Sequence, residues 1–230
     1  GCGWGGLVVY AAKRYGVQAL GITLSQSQVD LAQERIEEAG VGDRCRVVYQ
    51  DYREVDPGDE PFDTLVSVGM FEHVGEAKMH IYFKKAWDIL RRKGLFLNHA
   101  IARPGWEPKV EDPNAFGNRY VFPDGELTPI GHSLRIAEDV GFEVRDVESL
   151  REHYALTLRR WVRRLEERHE EALNHVDEAT YRIWRLFLSG SAHGFEAGRL
   201  NVYQSLLAKP GAEGESGLPL TRSDLYAPET

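Results

Sequence analysis

The sequence is poor in sulfur, with two cysteines and two methionines in 230 residues. Cys2 sits inside a glycine cluster and Cys45 at the start of an apolar run. That spacing suits neither a zinc cage nor a disulfide framework, so no metal is expected and a reducing, cytoplasmic setting is the simplest expectation. Long apolar runs are also missing: none approaches the roughly 18 residues of a membrane-spanning helix. Nor is there a surplus of positive charge. Against 36 Asp and Glu stand 28 Lys and Arg, a formal net charge of −8, which argues against nucleic acid as a general partner because phosphate backbones are held by basic surfaces.

What is present begins with Gly1-Cys2-Gly3-Trp4-Gly5-Gly6. Four glycines ahead of the helical run from Leu7 to Tyr15 describe a tight turn feeding a helix N-terminus. Backbone N–H groups there can approach an anion or a nucleoside. A sharp strand-to-helix corner with no ligand would leave the same trace. In open α/β sheets such a turn follows the first strand, so that strand and any earlier helices are expected upstream of Gly1.

Helix and strand signals then alternate. Residues 17–23 read as a buried strand. Ser25 with Gln28 three positions on has the capping-box pattern, ahead of a stripe of Val29, Ala32, Ile36 and Ala39 that ends at Gly40. Residues 46–49, 62–68 and 95–101 read as further strands, with a loop over 56–59, and Met79, Phe83, Ala86 and Leu90 keep helical spacing until Gly94. The alternation predicts an α/β fold, a mostly parallel sheet covered by helices on both faces. Residues 103–130 break the rhythm: Pro104, Pro108, Pro113, Pro123 and Pro129 are interleaved with Trp106, Phe116, Tyr120 and Phe122. The segment is either a functional lid or a surface excursion packed by its own aromatics. After it come a short helix over 134–140, a strand over 142–150, helices over 154–171 and 178–196 and a last strand over 201–207. One domain over 1–208 is expected, followed by a disordered tail over 209–230.

The end of the second strand, Gly21-Ile22-Thr23-Leu24-Ser25, lacks the acid with which dinucleotide enzymes hold ribose hydroxyls, and the glycines depart from G-x-G-x-x-G. Nicotinamide and flavin are therefore disfavoured. Thr23 and Gln28 are the polar candidates for that place, each with a plain structural alternative. At the next strand end Asp51 can accept from an adenine amine and Tyr52 can pack on its ring. A cofactor with adenosine and no pyrophosphate fits best.

These stretches, with Ser67 to Gly75 (Phe71-Glu72-His73 at its centre), His99, Tyr120 to Gly125, His153-Tyr154-Ala155, Thr157-Leu158 and Trp161, resemble the S-adenosylmethionine-dependent methyltransferases of the cyclopropane-fatty-acyl-phospholipid synthase and mycolic acid cyclopropane synthase family. The resemblance runs from Gly1 to about Pro210 and implies a Rossmann-like class I methyltransferase fold. It places Gly1 and Gly3 at the cofactor turn, Thr23, Leu24 and Gln28 at the ribose and adenosine, and Tyr52 beside adenine. It also implies that Glu72, His99 and Tyr154 hold a bicarbonate ion next to the reacting double bond of an unsaturated acyl chain, most naturally that of a phospholipid. A base so placed would deprotonate the carbocation left by methyl transfer, giving a cyclopropane or a methylene- or methyl-branched product.

Each of these three side chains also has a bland alternative: a loop cap for Glu72, a strand-end hydrogen bond for His99, a core position for Tyr154. Ser191 stands where family members commonly carry cysteine. Two rivals stay open: a small-molecule amine N-methyltransferase and a cofactor-binding partner without catalysis. Beyond the site, Leu158, Trp161, Val162 and Leu165 form an apolar stripe beside Arg159, Arg160, Arg163, Arg164 and Arg168. That stripe suits either a peripheral contact with anionic headgroups on the inner face of a membrane or a packed helix neutralised in part by Glu166 and Glu167. A homodimer is left open.

Overall fold

The computed structural model describes residues 1–106, 112 and 114–226. Pro108 and Pro113 of the proline-rich segment lie outside the described residues. Helix α1 (Gly6–Tyr15) starts after Gly5 at φ 79° and stops at Gly16 at φ 66°, whose N–H reaches back to the Ala12 carbonyl. Left-handed backbone of this kind is the reason glycine occupies both ends. Strand β1 (Ala19–Thr23), helix α2 (Gln26–Ala39) and strand β2 (Cys45–Tyr49) follow. The expected capping box at α2 does not form. The Ser25 side chain makes no capping bond, and the Gln28 side-chain oxygen accepts from the Thr23 hydroxyl instead.

Strand β3 (Phe62–Val68) has the expected bounds, and helix α3 (Met79–Ile89) passes directly into β4 (Leu90–Ala102). Gly94 therefore lies inside a strand rather than breaking a helix. Within the proline-rich segment sits a short helix, α4 (Phe116–Tyr120), and after it α5 (Ile130–Val140) and β5 (Glu143–Ser149). The single helix expected over 154–171 is divided into α6 (Arg151–Glu167) and α7 (His169–Ala172), because Arg168 leaves helical geometry at φ −114°, ψ 32°. Helix α8 (Glu178–Glu196) and strand β6 (Asn201–Ala208) complete the order.

β1 and β2 pair in parallel, as do β3 and β4. β6 lies between β4 and β5 and is antiparallel to both, so β3, β4 and β5 share one direction and β6 alone opposes them. The expected α/β fold is present, but its pairing is mixed, with two parallel and two antiparallel ladders among the described residues. The ladders form two groups, β1-β2 and β3-β4-β6-β5, and β1 and β3 each have one edge without a strand partner among the described residues.

Three apolar clusters hold the layers together. One joins α3 and α5 to one face of the sheet through Phe71, Tyr82, Phe83, Phe96 and Phe142. A second lies under α1 and α2 around Ala32, Ile36 and Val47. The third packs α6 and α8 on β6 through Ala155, Leu158, Ala192, Phe195 and Val202. Fully buried phenylalanines such as Phe83 and Phe195 contribute about 1.5–3 kcal/mol each. Past β6 the described residues 209–226 carry one short 3-10 turn, Ser223–Leu225. Ion pairs link this stretch to the body: Lys93 with Glu215 at 2.8 Å and Arg222 with Asp146 at 2.6 Å.

Candidate active site

The glycine turn is pinned where β1 ends. The Cys2 N–H donates to the Ile22 carbonyl at 2.8 Å and the Gly5 N–H to the Cys2 carbonyl at 3.2 Å. A Cβ on Gly5 would lie 2.8 Å from that of Ala32, and one on Gly21 would lie 2.9 Å from the Cys2 sulfur. The turn, α2 and β1 thus approach one another as closely as backbone allows. Beside them opens a cleft of about 270 Å³ lined by Gly1, Thr23, Leu24, Asp51 and Tyr52, with Met70, His73 and Lys78 opposite. Five of the seven residues expected at a cofactor therefore converge. Gly3, at φ 55°, and Gln28 are not among those that face the cleft. Gln28 acts at one remove through its bond to Thr23.

Asp51 caps the 3-10 turn Tyr52–Glu54 by accepting from the Arg53 N–H, and both its oxygens meet the Arg53 guanidinium at 2.9 and 2.6 Å. That pairing holds its carboxyl down at about 2, so the group is an acceptor throughout the neutral range. The Tyr52 ring stands edge-on to Tyr82 at 5.6 Å, and its hydroxyl is buried without a partner among the described residues.

Glu72 lies in the turn after β3 and is 8% exposed. Its Oε1 accepts from the Ile101 N–H at 2.8 Å, and its main-chain carbonyl accepts from the Glu126 N–H, also at 2.8 Å. The carboxylate does not cap its own turn; one oxygen reaches instead to the strand N–H of Ile101. The other, Oε2, is buried and has no partner among the described residues. Burial pushes the carboxyl pKa up against the opposing pull of the Ile101 N–H.

His99 and Ile101 alternate on the same face of β4, away from Phe96 and Ala100, which belong to the α3 side. Directly across the ladder from His99 lies Gln204 of β6, whose amide nitrogen is 3.2 Å from His99 Nδ1. Since that nitrogen can only donate, Nδ1 accepts and the ring proton is left on Nε2. Desolvation lowers the His99 pKa, which keeps the ring neutral at pH 7. Tyr154 of α6 packs edge-on against Phe195 at 4.9 Å and Trp161 at 6.0 Å. Burial, and then the charge of Glu72, raise its pKa. Ile101 packs in the same apolar cluster as Tyr154. The structure thus brings Glu72 and Tyr154 together around the end of β4, with His99 two residues before Ile101 on the same strand face. Ser191 lies partly buried on α8.

Beyond Met70 and Lys78 of the cleft lining, two residues escaped the sequence reading as site members. His73 faces the cleft and packs its ring on Phe122 of the proline-rich segment at 5.6 Å. Phe122 in turn meets Trp184 and Phe187 of α8 at 6.4 and 5.6 Å. The aromatics of that segment therefore pack on the site and on α8 as well as on one another. Gln204 is the second. Only the strand register puts it opposite His99, and no local signal in the strand, which also carries Asn201 and Ser205, singles it out.

Among the described residues no group of His, Cys, Asp and Glu is placed to hold a metal, and no helix is long and apolar enough to cross a membrane. A family model described as mycolic acid cyclopropane synthetase matches residues 1–205. The chain is 44% identical over 228 residues to a probable fatty acid methyltransferase of Pseudomonas putida, covering 98% of this chain and 58% of that protein. To a probable fatty acid methyltransferase of Mycobacterium tuberculosis it is 40% identical over 220 residues, covering 96% and 51% respectively. The chain thus spans little more than half the length of these relatives. A crystal structure of a mycolic acid cyclopropane synthase complexed with SAH and CTAB superposes with a TM-score of 0.82 at 30% identity, covering 90% of this chain and 75% of that one.

Proposed function

The chain belongs to the mycolic acid cyclopropane synthetase family, with a Rossmann-like class I methyltransferase fold, and on that footing we propose that it serves methyl transfer from S-adenosylmethionine to the double bond of an unsaturated fatty acyl chain carried on a phospholipid. The observation that carries this reading is the divided carboxylate of Glu72. One oxygen is fixed by the Ile101 N–H, while the other is buried and without a partner among the described residues. A buried polar atom left open in this way calls for a ligand.

The cleft suits S-adenosylmethionine. Asp51 is held ionised for an adenine amine, Tyr52 offers a ring face, Thr23 and Leu24 border the ribose position, and Gly1 leaves the backbone approachable. The bound cofactor supplies an electrophilic methyl group. Glu72, His99 and Tyr154 suit a small hydrogen-bonded oxyanion such as bicarbonate. His99 Nε2–H and the Tyr154 hydroxyl are donors, and the free oxygen of Glu72 would accept a hydrogen bond from the ion's own O–H. The buried Phe195 ring against Tyr154 supplies an apolar wall there, of the kind that protects a cationic acyl chain from hydration. Whether ring closure or a hydride shift follows depends on how the chain is gripped, and both products lie within the proposal.

The test is mass spectrometry of phospholipid acyl chains from cells producing the full-length protein, wild type beside Glu72→Gln. A gain of one CH2 unit that is lost in the variant is expected, and fragmentation then separates a ring from a branch. Wild-type protein that binds the cofactor and leaves acyl chains unchanged would overturn the acyl assignment in favour of an amine substrate or a non-catalytic role.

A further inference from the structure

Position 75 requires glycine twice over. Its backbone lies at φ 77°, ψ 148°, which residues with a Cβ rarely adopt, and a Cβ placed there would stand 3.1 Å from Oε2 of Glu126. Gly75 precedes a 3-10 turn, Glu76–Lys78, that runs straight into α3. It therefore occupies the place from which Ser, Thr, Asp or Asn ordinarily caps a helix with its own side chain. Glycine has none to offer. The acceptor comes instead from a residue 50 positions along the chain: Oε2 of Glu126 accepts from the Glu76 N–H at 2.7 Å. A carboxylate at this end of α3 also meets the favourable end of the helix dipole.

The same residue acts on the other side of the turn. The Glu126 N–H donates to the Glu72 carbonyl at 2.8 Å, so Glu126 bonds the chain at Glu72 and again at Glu76. Upstream, the turn is tied to the sheet by the Gly69 N–H, which donates to the His99 carbonyl at 3.0 Å. Between these ties the main-chain bonds, from the His73 N–H to the Met70 carbonyl and from the Val74 N–H to the Phe71 carbonyl, stay within the turn. Burial of Phe71 and Val74 anchors it to the core, but apolar contact is non-directional. Hydrogen bonds are directional, and they set the line along which the Glu72 side chain leaves the turn for Ile101.

From this arrangement we propose that Glu126 is a positioning residue for Glu72: gripping the turn on both sides, it holds the carboxylate against the Ile101 N–H and keeps the second oxygen open to a ligand. The inference rests on the acyl reading given above only for what Glu72 does in turnover. The grip itself is read by a measurement that needs no substrate.

The test is amide hydrogen exchange of the full-length protein carrying isotope-labelled isoleucine, in carbonate-free buffer so that no added anion occupies the site, wild type beside Glu126→Ala and Glu126→Gln. The Ile101 N–H is bonded to Glu72 and not to Glu126, so a role for Glu126 confined to capping α3 would leave its exchange unchanged. Exchange at Ile101 should be about tenfold faster in Glu126→Ala, with Ile22 and Ile36 of the β1–α2 half unaltered. Glu126→Gln keeps an oxygen for the Glu76 N–H and should return Ile101 close to the wild-type rate. Should Glu126→Ala fold poorly, Glu76→Pro removes the same donor at a first-turn position that tolerates proline and should speed Ile101 exchange equally. Glu76→Ala, which removes only a side chain 3.3 Å from His132, should not. In turnover, Glu126→Ala should lower kcat between about tenfold and a hundredfold at unchanged KM and cofactor affinity. Unchanged Ile101 exchange in Glu126→Ala, unchanged kcat in that variant, or a Gln variant no better than Ala would overturn the proposal. Faster Ile101 exchange with rescue by Gln, in a protein that adds no CH2 to acyl chains, would sink the acyl reading and leave the positioning of Glu72 standing.

Discussion

The cofactor side and the proposed acyl side of this protein are built by different means. The cleft between β1, β2 and the turn after β3 is made largely of backbone. Glycines at φ 55° and 79°, a main-chain bond from Cys2 to Ile22 and an aspartate tied to the next residue but one fix it within a few dozen residues of chain. The acyl side is made of side chains brought from far apart: Glu72, His99, Phe122, Tyr154 and Gln204 come from five separate segments. A site built from backbone is specific for shape and tolerates few replacements. One built from distant side chains can be retuned residue by residue while the cofactor half stays the same.

The sharpest way to break this contrast is Glu72→Gln. Gln keeps an oxygen for the Ile101 N–H and removes only the acidic function, so methyl transfer should fall about a hundredfold or more without loss of folding. The sign of the pH effect supports a separate check. Burial raises the Glu72 pKa in the folded state, so wild type loses stability as pH rises through that raised value, and the variant should not. Melting temperatures of the two across the acidic to neutral range would then diverge upward for Gln; a lower melting point for Gln at neutral pH would show that the carboxylate is mainly structural.

On the cofactor side the corresponding change is Gly5→Ala. It combines a left-handed backbone with a Cβ 2.8 Å from Ala32, and should cost about 2 kcal/mol together with cofactor affinity, read by urea denaturation and by calorimetry. Unaltered stability would mean the turn is looser than its packing implies. Gln204→Leu is the smaller probe of the acyl side. It leaves His99 Nδ1 without its donor and frees the tautomer, so turnover should drop about tenfold at unchanged cofactor affinity. Gln204→Glu should instead raise the His99 pKa and move the acid limb of the rate profile upward. The smallest effect is expected from Arg53→Gln. Asp51 is held near 2 by Arg53, so it adds stability above the ordinary carboxyl pKa that is lost as pH falls toward 2. Removing Arg53 should flatten that acid limb by less than about 1 kcal/mol.

The same contrast explains how far the sequence could be read. Residues 62–68 and 178–196 were legible to the residue because alternation and a 3.6-residue stripe are local. The glycine turn was legible for the same reason. Gln28 was misread because the capping-box spacing is a local pattern, and the side chain was captured instead by Thr23, which reaches it only once β1 and α2 are packed. The break at Arg168 was invisible, since residues on both sides of it favour helix. His73 lines the cleft from the turn after β3, with Phe122 of the distant proline-rich segment packed on its ring, a pairing no local pattern announces. Glu72, His99 and Tyr154 were named through family resemblance, and composition alone would have left each as an ordinary buried polar group.

Strand β6 runs against its neighbours, and this has a bearing on how the protein tolerates change in length. Gln204 faces His99 because of the count of residues from the end of α8, Glu196, to the start of β6 at Asn201. Inserting or deleting one residue in that short connection would turn every β6 side chain to the opposite face and bring Tyr203 or Ser205 to the position across from the histidine. A lesion in a loop that contains no site residue would thereby act as an active-site substitution.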